Sequence, residues 1–232
     1  MVDVLYEDNH VLVCIKPQNV ATQADISGDV DMLTMVKEYI KEKHQKPGNV
    51  YVGLVHRLDR PTGGVMVFAK TSKAAGRLCE QIQDGTFEKK YFACVEGVPR
   101  LQTATLKHYL KKDEKTNIVT IVPQSIQGAK YAELSYQTIA TYQDKISLVD
   151  VALKTGRSHQ IRVQLAYNGN PIFGDAKYSK ILRKKQNLCL WAYSLKFVHP
   201  VTKQNMIFKV VPPISLTPWN CFENQIKKIE NN

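Results

Sequence analysis

Between residues 90 and 153 five β-rich runs follow one another, at 90–96, 104–109, 118–122, 132–142 and 146–153, with nothing helical between them. Strands that succeed each other directly pair as antiparallel neighbours, because parallel pairing needs a crossover of a dozen or more residues. A largely antiparallel sheet is therefore built into the middle of the chain. Runs at 2–6 and 11–15 flank the turn former Glu7-Asp8-Asn9-His10 and read as a hairpin closed by Lys16-Pro17, and further strands are expected at 51–55, 65–69, 188–197 and 206–211.

Helices are expected around this sheet. Residues 31–45 place Leu33, Val36, Tyr39 and Ile40 at helical spacing before Lys46-Pro47-Gly48-Asn49 breaks the pattern. Ser72 is the expected N-cap of a helix running to Asp84, with Gly85 as its C-cap. Residues 158–168 form a helix candidate closed by Gly169, and Trp219, Phe222, Ile226 and Ile229 fit a closing amphipathic helix. The resulting expectation is an α+β fold with a mixed, largely antiparallel central sheet flanked by helices and loops, in a single domain over residues 1–232.

The 232 residues, 44% of them hydrophobic, suffice to bury roughly 70% of the unfolded surface without staples. The acidic first nine residues do not read as a leader, and no apolar run approaches the roughly 18 residues of a membrane span, so a cytoplasmic protein is expected. Five scattered cysteines without a CxxC pair indicate neither disulfides nor a zinc knuckle. Charge is divided unevenly. Residues 1–50 hold five Lys or Arg against eight Asp or Glu, a net −3, whereas residues 51–232 carry the remaining 27 against 13, a net +14. Such a positive field attracts a polyanion by steering and counterion release.

Residues 56–64, His-Arg-Leu-Asp-Arg-Pro-Thr-Gly-Gly, set one carboxylate among cations at a forced turn. Arg57 and Arg60 favour an ionised Asp59, Pro61 biases Arg60 towards an extended conformation, and Gly63-Gly64 permits another backbone or a ligand to approach. Taken alone, the same nine residues also describe a surface turn with an ordinary ion pair. In residues 154–164, KTGRSHQIRVQ, a helix beginning near Ser158 would bring Ser158 and Arg162 onto one face with Arg157 at its entry. A helix N-terminus and forked arginines there can grip phosphate or hold Asp59, and a solvated helix start describes them equally well. A structural loop accounts for residues 169–178, with Asp175 near their middle. Tyr91, beside Lys89 and Lys90, reads as a core ring or as a stacking platform for a base.

GxxxxGK[ST], GxGxxG and HExxH are absent, so neither cofactor nor metal is expected, although His56, His159 and Asp175 could in principle gather around a metal. The order of segments resembles the RluA-type pseudouridine synthases: Lys16-Pro17, HRLDRPTGG (56–64), KKYFACVEG (89–97), TGRSHQIRVQ (155–164), GNPIFGDAKY (169–178) and LWAYSLKFVHP (190–200). The resemblance implies isomerisation of uridine in structured RNA, ribosomal or transfer, without cofactor or metal. It implies that Asp59 is the catalytic aspartate, Arg162 its partner, Tyr91 the ring stacked on the target base, and Arg57 the filler of the gap left by the flipped nucleotide. His56, Arg60, Thr62, Arg157, His159 and Gln160 are the further expected RNA contacts. The chain departs from the family pattern at Gly63 (usually Ser), Gln164 (often His) and Trp191 (commonly His). The family's frequent small N-terminal module is expected to be absent, and a monomer is expected.

Two other readings follow from the same residues. A catalytically silent RNA chaperone would use the basic surface alone. A glycoside hydrolase would need a second facing carboxylate, for which Asp175 is the motif-associated candidate.

Overall fold

A computed structural model of the chain describes residues 2–181 and 186–230. It has the expected class: a mixed, mostly antiparallel open sheet with, among the described residues, four α-helices. Its contacts divide into two compact units, one made of residues up to Lys89 with Ala192–Val210, the other of Lys90–Trp191 with the residues from Val211 on.

The first unit begins with the expected hairpin, β1 (Asp3–Glu7) against β2 (Val11–Lys16). Its turn is closed by the Asp8 carboxylate, which accepts from the His10 and Val11 amides, each at 2.8 Å. α1 (Met32–Lys43) is capped by Asp31, whose side chain accepts from Thr34 N, and buries Met32, Val36 and Ile40. The strand expected at 51–55 shrinks to β3 (Gly53–Leu54), a short edge piece on β4 (Gly63–Ala69). β4 is buried along its whole length because β2 lies on one side of it and β10 (Leu190–Val198) on the other. β11 (Asn205–Lys209) completes this part of the sheet by pairing with β10.

α2 (Ser72–Asp84) starts one residue earlier than the expected cap would require. Thr71, not Ser72, is the N-cap and accepts from Ala74 N; both carry a hydroxyl, so composition alone does not separate them. Gly85 closes the helix with φ 81°, as its position suggested.

In the second unit the serial strands pair in the order β5-β9-β8-β6-β7, each neighbouring pair antiparallel. They are β5 (Glu88–Glu96), β6 (Thr103–Asp113), β7 (Ile118–Val122), β8 (Lys130–Tyr142) and β9 (Ile146–Leu153). α3 (Gln160–Tyr167) lies on one face, where Val163 joins Leu110, Val119 and Ala132 in a small core. The helix begins two residues after the expected Ser158, since His159 sits in the left-handed region at φ 51° and ends the preceding turn. A 3₁₀ turn (Trp219–Phe222) and α4 (Glu223–Glu230) realise the closing helix, with Trp219, Phe222 and Ile226 buried.

Candidate active site

The loop that carries Asp59 joins β3 to β4, and the first unit fixes it at several points. Leu58 is held from both sides by Thr22, whose hydroxyl donates to the Leu58 carbonyl at 2.8 Å and accepts from its amide at 3.2 Å. Thr62 N donates to Asp59 O at 2.9 Å, closing a tight turn over Arg60 and Pro61. Gln18 Nε2 donates to Pro61 O at 3.1 Å. Beneath the turn lies Lys16, wholly buried, whose ammonium donates to the carbonyls of Pro17 (2.9 Å), Val20 (2.6 Å) and Arg60 (3.1 Å). Burial pushes Lys16 down to about 7, against the pull of the Asp59 charge, with Arg60 adding to the downward push.

His56 anchors the start of this loop. Its ring is buried edge-on against Phe87 and its Nε2 accepts from Val67 N at 3.2 Å. Accepting there puts the proton on Nδ1, which is buried without a hydrogen-bond partner among the described residues. Burial, reinforced by Lys89, lowers the imidazole to about 3, so it is neutral at working pH. Gly64 fixes the far end. At φ 127° a Cβ there would stand 2.2 Å from Ala192 O, so only glycine lets the loop enter β4.

These anchors leave Asp59 partly exposed, with Arg57 exposed beside it. Arg60, expected to act on Asp59, is turned towards the segment after β2: Nε and Nη2 donate to Asp25 and Nη1 to Asp29. Thr62 is buried at 2% exposure.

In the second unit α3 carries six buried residues in succession, Gln160 to Leu165, so its polar side chains must be satisfied internally. Arg162 is met by Asp175 in a forked pair, Nε to Oδ2 at 2.8 Å and Nη2 to Oδ1 at 2.7 Å. Oδ1 of Asp175 also accepts from the amides of Lys177 (2.9 Å) and Tyr178 (3.2 Å). The Tyr178 ring lies 5.2 Å from the Arg162 guanidinium, and its hydroxyl bonds His159 Nδ1 and accepts from Val119 N, both at 2.8 Å. Gly174, at φ 78° and with Asn187 O only 2.3 Å from any added Cβ, allows the turn that presents Asp175.

Gln160 is spent on folding its own motif. Its Oε1 accepts from Arg157 N and Thr155 Oγ1, and its Nε2 donates to Glu133 O. Arg157 is exposed, with Nε donating to Tyr131 O at 2.9 Å. His159 is buried, as is Tyr91, which sits on β5 opposite Val151. Among the proposed contacts, then, Arg57, Arg60 and Arg157 offer surface, while His56, Thr62, His159 and Gln160 brace the loops that carry them.

Sequence reasoning gave Lys16 no chemical part and did not pair Asp175 with Arg162. A lysine ending an apolar strand before proline, and an acid after glycine thirteen residues beyond an arginine, were the available signals. Among the described residues no group of three His, Cys, Asp or Glu is arranged to hold a metal ion, and no helix is long and apolar enough to cross a membrane.

Comparison with known proteins gives a consistent result. The profile of the family described as RNA pseudouridylate synthase matches residues 10–167. An uncharacterized RNA pseudouridine synthase of Bacillus subtilis (strain 168), YhcT, is 33% identical over 219 residues, covering 92% of this chain and 70% of that protein. Ribosomal large subunit pseudouridine synthase C of Buchnera aphidicola subsp. Baizongia pistaciae is 34% identical, covering 88% of this chain and 65% of its own length. The chain thus spans about two thirds of these relatives. The solved structure of human RNA Pseudouridylate Synthase Domain Containing 4 superposes with a TM-score of 0.77 over 97% of this chain and 93% of that one, at 21% identity, a likeness of fold.

Proposed function

The chain belongs to the RNA pseudouridylate synthase family, and on that premise we propose that it converts a particular uridine of structured RNA, ribosomal or transfer, with Asp59 as the catalytic group. The reaction breaks the C1′–N1 bond, turns the uracil and joins C1′ to C5; the C5 proton leaves to a base and N1 takes up a proton. Extruding the base costs a few kcal/mol, offset by phosphate contacts and by stacking on Tyr91, with Arg57 entering the vacated space. The protein is proposed to act as a cytoplasmic monomer, in one catalytic domain.

The observation that carries this reading is the bracing of the Asp59 turn. Thr22, Gln18, Lys16 and the Thr62 amide hold the backbone on both sides of one carboxylate, while the carboxylate itself keeps access to solvent. Rigid backbone around a reactive group lowers the cost of reaching the reacting geometry. Asp59 must be ionised, and the role proposed for Arg162 is to favour that form, as a guanidinium beside an aspartate does. The forked bond to Asp175 fixes the plane of the guanidinium. Attack on C1′, addition to the uracil ring and removal of a sugar proton all begin from the same ionised oxygen.

The test is chemical mapping of pseudouridine in total RNA from a strain lacking the gene, incubated with wild type or Asp59→Asn. One or a few uridines should be converted by wild type alone. Identical maps from the two proteins would exclude enzymatic action through Asp59 and leave the chaperone reading.

A further inference from the structure

The acidic part of this basic chain includes residues 23–30, exposed throughout, with Ile26 and Val30 open to solvent at 106% and 62%. The segment is pinned at both ends. Met32 N donates to Ala21 O at 2.9 Å and Leu33 N to Thr22 O at 3.1 Å, while Asp31 caps α1. Between these points it forms its own turn, with Gly28 at φ 73°, Ser27 N on Asp25 Oδ1 at 3.0 Å and Asp29 N on Ser27 Oγ at 3.1 Å.

The tip is fastened to the catalytic loop through Arg60, the residue after Asp59. Nε and Nη2 donate to Asp25 (3.1 and 2.7 Å), Nη1 donates to Asp29 (2.7 Å), and Nη2 also reaches Ser27 Oγ. A carboxylate on a guanidinium fork has the geometry of a phosphate on the same fork. Two carboxylates on the side chain of the residue that follows Asp59 also place negative charge on the loop that a polynucleotide has to reach. Exposed ion pairs add little net stability, so exchanging them for phosphate contacts is inexpensive, and the solvent-exposed Ile26 shows that lifting the tip uncovers no core at that residue.

We propose that residues 23–30 form an acidic strap whose Asp25 and Asp29 occupy, in the RNA-free protein, the position on Arg60 of a substrate phosphate, and that RNA displaces the strap. This rests on the RNA reading above and adds a regulatory step to it. The strap makes weak or short-lived polyanion contacts unproductive, because an incoming RNA must outcompete two tethered carboxylates before it reaches Asp59.

The test compares wild type with the double variant Asp25→Asn/Asp29→Asn, using total ribosomal RNA for binding and pseudouridine formation as a parallel readout. The variant should bind about 3- to 10-fold more tightly at low salt, the scale of two exposed ion pairs, with the difference closing towards 1 M salt. KM should fall and kcat stay unchanged. An endoproteinase that cuts before aspartate should cleave at Asp25 and Asp29 faster when RNA is present. Equal or weaker RNA binding by the variant, or protection of the strap by RNA, would overturn the proposal. Wild type that binds RNA but forms no pseudouridine would instead defeat the functional reading, so the two failures are separable.

Discussion

Arg162 and Asp175 form a forked ion pair with both side chains out of water, the arginine at 5% exposure and the aspartate at 0%. Such a pair contributes little net stability against an apolar replacement, but removing one member strands a buried charge. Asp175→Ala should therefore lower unfolding stability by about 3–5 kcal/mol, read as a shift in the urea midpoint at unchanged m. Replacing both partners, as Arg162→Met/Asp175→Leu, should recover much of that loss while leaving pseudouridine formation abolished. Recovery of activity with stability would show that the pair serves packing alone.

Gly64 and Gly76 should respond oppositely to alanine. At Gly64 the added Cβ meets Ala192 backbone at 2.2 Å and φ is 127°, so Gly64→Ala should destabilise by several kcal/mol and abolish activity by moving the Asp59 turn. Gly76 lies inside α2 with nothing within 4 Å of the new atom. There the substitution should stabilise by about 0.5–1 kcal/mol with activity intact, as measured by thermal unfolding and initial rates.

His56 contributes a dependence on acid. Its folded-state value near 3 lies below the unfolded 6.5, so the unfolded chain binds the extra proton between those limits. The stability that comes from keeping the ring neutral is complete above about 6.5 and declines as pH falls towards 3. His56→Gln, which keeps an acceptor for Val67 N, should flatten the unfolding free energy over that window relative to wild type. Parallel curves for the two proteins would place the acid sensitivity elsewhere.

The serial β runs made most of the second unit's sheet legible, because alternation and direct succession leave few other pairings. What the sequence hid was which polar residues turn inward. Gln160 and His159 look like surface groups of a helix mouth, but the left-handed turn at His159 rotates both into the protein, where Gln160 closes its own loop. Arg60 looks like a partner for its neighbour Asp59, but it is taken by acids 31 and 35 residues earlier in the chain. Contacts of that separation carry no local signature. Lys16 was hidden for a related reason: a lysine after an apolar strand usually marks where the chain reaches water, and here three carbonyls replace the water.

Lys16 provides the last expectation. Its value falls from 10.5 in the unfolded chain to about 7 in the fold, chiefly because its ammonium has left water. Between those limits the unfolded state binds more protons, so stability must rise with pH across that window, with a slope of up to about 1.4 kcal/mol per unit. Below about 7 the buried charge is retained and its desolvation cost is present in full. Lys16→Met removes the titration together with the donor for the carbonyls of Pro17, Val20 and Arg60, so it should lose the rise, and the stability of wild type relative to the variant should increase from about pH 7 to 10. Subtracting the two curves, from urea unfolding at intervals between pH 6 and 10, cancels the other lysines and tyrosines. A difference that does not change across the window would mean that the ammonium keeps its ordinary value under Asp59, held there by the carbonyls and by the carboxylate above it.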